Sequence, residues 1–233
     1  MSDPERIVAE FSILERPRLE PRYNVAPSQR VWAVRIVPPK AERELAQLTW
    51  GLSPPGEAKS HRILVMARAE SIAERAAFAT AFRSRRCLLL ADGFYEWNRA
   101  GKKSFPYYIR RRDHGSFAMA ALWQPRATDG ATTDLDTCAV ITRPARPPVC
   151  EVHHRMPALL ARKHRDTWLD PMFSDPSALT QMLDDDDDDA ELVAVPVSGR
   201  VNSPANDDAG CIEPAPLSSL PPRQFELWPK GRP

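Results

Sequence analysis

The segment Cys87–Trp97 contains the carboxylate whose surroundings are best suited to acid-base chemistry. An apolar run of strand length ends at an Asp-Gly turn, and Glu96 follows between Tyr95 and Trp97. Loss of hydration on folding favours the protonated form of such a carboxylate, which suits a proton donor or acceptor near neutral pH. From these residues alone, a surface glutamate at a strand end, with the aromatic rings facing the core, is the alternative.

A second group that could transfer protons is the adjacent pair His153 and His154, on a loop that also carries Arg155. Imidazole titrates near physiological pH, so one interpretation is an acid-base histidine, and the other is a structural histidine. Neighbouring side chains in extended backbone point in opposite directions, and no further ligands stand at a recognised metal-binding spacing. We therefore expect no metal and no cofactor.

The cysteines argue against both a zinc knuckle and a disulfide framework, because they are widely spaced and form no C-x-x-C pair. They are Cys87, Cys138, Cys150 and Cys211. Cys150 stands close to His153 in sequence, which keeps a cysteine peptidase open as an alternative, although no cysteine has an evident activating partner. The N-terminus has neither the basic start nor the apolar stretch of a signal peptide, so we expect a cytoplasmic protein.

The composition is that of an ordinary soluble globular protein, with 233 residues of which 42% are hydrophobic and 27% charged. We expect one domain over residues 1–233, with an acidic loop around 184–189 and an irregular tail from about residue 214. No apolar run approaches the roughly 20 residues that span a membrane. Removing the six negative charges of Asp184–Asp189 takes the formal net charge from +1 to +7. The rest of the chain is thus basic enough to permit a nucleic-acid partner.

Strand patterns outnumber helical ones and do not alternate regularly with them. This favours an α+β domain with a mixed, largely antiparallel, partly barrel-like sheet and short flanking helices. A hairpin is predicted around Pro38-Pro39, and the spacing of apolar residues predicts a helix over Glu70–Phe82. Further strands are predicted at 63–67, 105–110, 117–123, 137–142 and 192–197, and further helices near the N-terminus and at 161–169 and 177–183.

Six segments together resemble one family, the SOS-response-associated peptidase or abasic-site processing proteins. They follow the family's order at similar intervals and span nearly the whole chain, which is far more specific than any single short motif. The segments are Arg22–Pro27, Trp50–Leu52, Ala67–Glu70, Arg85–Trp97, His153 with Arg155–Pro157, and Arg200–Asp208.

The resemblance implies a monomer that acts on abasic sites in single-stranded DNA during the response to DNA damage. In the family, the α-amine of an N-terminal cysteine condenses with the ring-opened sugar aldehyde, and the thiol then closes a thiazolidine that links protein to DNA. The resemblance places the proton-transfer roles on Glu96 and His153. It places the DNA-binding positions on Asn24, Arg68, Thr142 and Arg155.

Three departures from the family pattern bear on this chemistry. The sequence opens Met-Ser-Asp-Pro instead of Met-Cys-Gly-Arg, Met66 stands where the family has an abasic-sensing Asn, and Pro54-Pro55-Gly56 replaces a loop that carries a Trp. We therefore expect that a polypeptide with this opening does not crosslink to DNA. Two explanations for the opening stay open: the Met-Cys-Gly-Arg leader lies upstream of Met1, or the protein has diverged and has lost the reaction. The thioether of Met66 cannot make the hydrogen bonds of an amide, so sensing of an abasic sugar should weaken. The alternative function is therefore a module that binds single-stranded DNA without reacting with it.

Overall fold

Two sheets and four short α-helices form the part of the chain that this computed structural model describes. The described residues are 4–13, 18–39, 42–53, 63–100, 103–125, 136–185 and 191–216. The larger sheet contains β1 (Arg30–Ile36), β2 (Arg43–Trp50), β3 (Met66–Arg68), β4 (Arg86–Ala91), β7 (Phe117–Gln124), β8 (Thr137–Pro144) and β9 (Arg155–Pro157). The smaller sheet contains β5 (Gly93–Ala100), β6 (Lys103–Arg111) and β10 (Leu192–Pro196).

The larger sheet curves into a ring. Its strands follow the order β2-β1-β4-β7-β8-β3, with β9 paired to β8, and β2 also pairs with β8 at Thr49–Thr137 and Trp50–Cys138. The pairings of β8 with β2 and β3 are parallel, and the others are antiparallel. The predicted α+β class with a mixed, largely antiparallel sheet is confirmed, although the ring is not a true barrel.

The α-helices are α1 (Pro4–Phe11), α2 (Ala76–Ser84), α3 (Arg165–Leu169) and α4 (Pro176–Asp184). None of the helices in the described ranges has the length and apolarity needed to cross a membrane. The predicted β1–β2 hairpin is confirmed. The helix predicted over Glu70–Phe82 is instead a 3-10 turn, Ala69–Ser71, followed by α2. Ile72 and Phe78 are buried in the same core without a continuous helix, so their spacing did not require one.

The larger sheet has a core on each of its two faces. On one face it packs against the α-helices, and on the other against the smaller sheet. Strand β4 shows the division, because Leu88 and Leu90 face the helices whereas Cys87 and Leu89 face the smaller sheet. Its uninterrupted apolar run follows from this burial on both faces.

The Asp-Gly pair after β4 carries the chain from one sheet to the other. β4 ends at Ala91 in the larger sheet, and β5 begins at Gly93 in the smaller one. A Cβ atom at Gly93 would lie 2.2 Å from Cε2 of Tyr108, so a side chain at this position would force that ring to move. Glu96 consequently lies in the middle of a second strand, and not at a strand end.

Candidate functional site

Glu96 points into the space between the two sheets. Alternation along β5 places it on the same face as Phe94, which packs against Phe117 at a ring-centroid distance of 5.9 Å. Its side chain is 16% exposed. Burial raises the pKa of Glu96 to about 7, although the nearby His153 acts in the opposite direction. Both protonation states of this carboxyl group are therefore accessible near neutral pH.

His153 lies against Glu96, with its Nδ1 atom 3.2 Å from the Glu96 Oε2 atom. The same Nδ1 lies 3.1 Å from the Arg155 carbonyl oxygen and 3.3 Å from the Arg155 amide nitrogen. With a proton, Nδ1 donates to the carboxylate and the carbonyl, whereas without one it accepts from the amide. The structure thus brings together the two residues to which the resemblance assigned proton transfer. They meet at His153 Nδ1, whose hydrogen-bond partners depend on whether it carries a proton.

Arg155 and Thr142 are linked to each other and to Glu70. The Arg155 guanidinium pairs with both carboxylate oxygens of Glu70, and its Nη2 atom donates to the Thr142 carbonyl at 2.6 Å and hydroxyl at 3.1 Å. Glu70 is a residue to which the sequence assigned no role. It belongs to the Ala67–Glu70 segment, but no sequence pattern pairs it with an arginine 85 positions later.

Strand β3 presents a cation and an apolar side chain at the edge of the site. Arg68 pairs in register with Thr142 and Met66 with Val140, and both β3 side chains are exposed while Ala67 between them is buried. Met66 is 53% exposed. Among the described residues, the Arg68 guanidinium has no hydrogen bond or ion pair, so it is available to a phosphate group.

Asn24 lies apart from this group. It is buried, and its side-chain nitrogen lies within 3.1 Å of three backbone carbonyl oxygens in the segment Val201–Asn206. The Tyr95 hydroxyl donates to the neighbouring Tyr23 carbonyl at 2.6 Å, and Tyr95 is on the face of β5 opposite to Glu96. The structure therefore groups Glu96, His153, Thr142, Arg155 and Arg68, and it does not group Asn24 with them; its contact with DNA stays a prediction.

The cysteine side chains are not arranged as activated nucleophiles. Burial raises the pKa of the Cys138 thiol to about 12 and that of Cys87 well above its ordinary value. Cys211 is buried as well, and Cys150 is exposed, with no hydrogen bond between its thiol and His153 among the described residues. The described ranges contain no group of three His, Cys, Asp or Glu side chains placed to hold a metal ion.

Comparison with known proteins identifies related chains. The profile of the family described as SOS response associated peptidase (SRAP) matches residues 1–204. Abasic site processing protein YoaM of Bacillus subtilis is 36% identical over 214 residues, which cover 89% of this chain and 92% of the relative. Abasic site processing protein YoqW of the same organism is 35% identical, covering 91% and 96%. A crystal structure of a protein from Bordetella bronchiseptica superposes with a TM-score of 0.69 at 25% identity, covering 85% of this chain and 97% of that one.

Proposed function

Because the chain belongs to the SOS response associated peptidase family, we propose that it processes abasic sites in single-stranded DNA, with Glu96 and His153 transferring the protons. The relatives named abasic site processing proteins support the reaction class. The observation that carries the residue assignment is the 3.2 Å contact between Oε2 of the largely buried Glu96 and Nδ1 of the half-buried His153. The raised pKa of Glu96 fits a group that both gives and takes a proton.

The proposed chemistry needs an acid and a base at one place. When an amine adds to the aldehyde of a ring-opened abasic sugar, the amine loses a proton, and the former carbonyl oxygen must be protonated before it leaves as water. The resulting imine takes up a thiol by forming a carbon-sulfur bond while the thiol proton passes to nitrogen. Protonated Glu96 can assist the departure of water, and neutral His153 can accept the proton of the amine.

On the DNA side, we propose that Arg68 holds a backbone phosphate, since it is exposed and makes no hydrogen bond or ion pair among the described residues, although its charge helps to lower the pKa of Glu70. Met66, on the same face of β3, offers an apolar contact to the sugar or base where an asparagine would offer hydrogen bonds. Preference for an abasic position over an intact nucleotide is therefore expected to be weak.

An abasic oligonucleotide resolved by denaturing electrophoresis tests this proposal. We compare a polypeptide that starts at Met1 with one that carries Met-Cys-Gly-Arg before it, and we expect a heat-stable shifted band only from the second. In the second polypeptide, Glu96→Gln should slow band formation by about 10²- to 10⁴-fold, the usual contribution of a positioned acid-base group. The matched control, Glu191→Gln, changes an exposed glutamate and should leave the rate unchanged. An undiminished rate in Glu96→Gln would contradict the assignment.

The exposed Met66 favours a second candidate, a single-strand-binding module without chemistry. Its distinguishing result is salt-sensitive retention of an oligonucleotide that does not depend on the abasic position. In this case neither polypeptide forms the heat-stable band. Met66→Asn tests the residue itself, because one added hydrogen bond of about 1 kcal/mol corresponds to a roughly fivefold gain in preference for the abasic oligonucleotide.

A further inference from the structure

We propose that Lys103, at the tip of the hairpin formed by β5 and β6, binds a backbone phosphate of the DNA strand at the end of the site opposite to Arg68. The inference rests on the proposed function for the DNA strand, and it adds a second point at which the protein holds that strand. Lys103 belongs to the described ranges, whereas residues 101–102 before it do not.

Lys103 lies on the face of the smaller sheet that contains Glu96. Opposite residues in an antiparallel pair share a face, and so do alternate residues along one strand. Glu96 is paired with Tyr107, and Lys103 precedes Tyr107 by four residues on β6. Tyr107 and the intervening Phe105 both pack in the core between the two sheets. The exposed Lys103 side chain is therefore on the side of the hairpin that faces the site.

The loop before β9 runs along β5 in the opposite direction and fixes the order of the groups. Glu96 contacts His153 at 3.2 Å. Two residues further along β5, the Asn98 side chain donates to the Glu151 carbonyl at 3.1 Å, and Glu151 is two residues before His153. Continuing along β5 beyond Asn98 therefore leads out of the site to the hairpin tip.

The other end of the same row leads to Arg68. Arg155 comes later on the loop, and its guanidinium donates to Thr142, which pairs in register with Arg68 on β3. Arg68 and Lys103 consequently lie at the two ends of the site, with the proposed acid-base pair between them. Both cations are exposed, and neither has a hydrogen bond or ion pair within the part of the chain that the structure describes. A strand that crosses the site can therefore place a phosphate at each end.

Arg99 is the matched cation on the opposite face of the hairpin. It is exposed as well, and its register partner is Ser104, so it alternates with Asn98 and Lys103. Removal of either charge weakens the long-range attraction to DNA in the same way, so a difference between the two isolates direct contact. Lys103 is four residues of strand from the level of Glu96, about 13 Å, which is up to about four nucleotides of stacked strand.

The test is titration of an unmodified oligothymidine over a salt series with Lys103→Ala, Lys103→Arg and Arg99→Ala. In Lys103→Ala we expect the affinity at low salt to fall by about 3- to 10-fold. The slope of log affinity against log salt should become shallower by about 0.7, the value for one phosphate contact on a single strand. Lys103→Arg keeps the charge and should keep the slope. Arg99→Ala should also keep the slope and lose less than about twofold in affinity.

A second readout uses the polypeptide that carries Met-Cys-Gly-Arg. There, Lys103→Ala should raise the concentration of abasic oligonucleotide that gives half the maximal rate and leave the maximal rate unchanged, because Lys103 lies away from the reacting sugar.

An unchanged salt slope in Lys103→Ala would overturn the inference, and so would equal losses in Lys103→Ala and Arg99→Ala. A heat-stable band together with an unchanged slope would leave the proposed function standing without the inference. A slope that depends on Lys103 without any band would do the reverse.

Discussion

Burial of Glu96 raises its pKa from an ordinary 4.5 to about 7. Between these two pH values, the carboxyl group keeps its proton in the folded protein but has lost it in the unfolded chain. Stability falls with pH wherever the folded state binds more protons than the unfolded state. The contribution of Glu96 is therefore most favourable below about pH 4.5 and decreases as the pH rises through about 7. A carboxyl group suited to proton transfer thus carries a cost in stability at neutral and alkaline pH.

We predict that Glu96→Gln stabilises the protein in a pH-dependent manner. The neutral amide avoids burying a charge, so we expect a gain of about 1–3 kcal/mol at about pH 8, reduced by the lost attraction to His153, and little change at about pH 4. Urea denaturation at several pH values measures the difference. An offset that is equal at all pH values would show that Glu96 is not the titrating group.

Residues whose immediate neighbours are informative could be singled out from the sequence as candidates. Glu96 stands out because aromatic residues flank it, and His153 because an arginine and a proline follow closely on a loop. Glu70 gave no such signal, since its partner Arg155 comes close only after β8 and β9 pair. Long-range ion pairs leave no periodicity in the sequence, so this part of the site required the structure.

At the scale of elements, contacts of Asp207 and Tyr95 hold the segment 22–24 against the face of β5 opposite to Glu96. We call these contacts the clamp. The Asp207 carboxylate accepts the backbone amides of Tyr23 at 2.6 Å and Asn24 at 2.9 Å, and it also pairs with Arg22. The Tyr95 hydroxyl donates to the Tyr23 carbonyl at 2.6 Å, from the residue next to Glu96. The clamp therefore supports the strand that positions the proposed acid-base group.

We predict that Asp207→Ala destabilises the protein by about 2–4 kcal/mol, because it leaves two backbone amides without their acceptor. Asp207→Asn retains an acceptor and should cost about half as much. The control Asp208→Ala removes a neighbouring exposed carboxylate that pairs with Arg200 and accepts the Gly210 backbone amide, and it should cost much less than Asp207→Ala. Urea denaturation measures all three variants. Equal losses for Asp207→Ala and Asp208→Ala would argue against a clamp.

Local elements were easier to predict than the connections between them. The β1–β2 hairpin was predictable because its two strands are adjacent in sequence and separated only by residues 37–42. The passage from β4 into a second sheet was not, because an Asp-Gly pair marks a change of direction without specifying the partner strand. The parallel pairings of β8 with β2 and β3 join distant segments, which a hydrophobic pattern does not encode.

At the scale of the whole molecule, one acidic run offsets the positive charge of the rest of the chain. Its first residues are held by basic groups: Asp185 contacts His164 at 2.7 Å and Lys163 at 3.1 Å, and the Asp184 carbonyl accepts from Arg146 at 2.8 Å. Residues 186–189 lie outside the described residues. Mutation of 186–189 can therefore test the charge of the run without disturbing the contacts of Asp184 and Asp185.

Replacing the aspartates at 186–189 with asparagine moves the formal net charge from +1 to +5 and leaves the contacts of Asp184 and Asp185 in place. Long-range attraction to the DNA phosphates should then increase, so we predict a rise in the association rate with oligothymidine of about 3- to 30-fold at low salt. The effect should disappear at high salt, where the Debye length is only a few ångströms. Stopped-flow fluorescence over a salt series measures both regimes. A gain that persists at high salt would place these aspartates in direct competition with DNA for its binding site, because screening would remove a purely long-range effect.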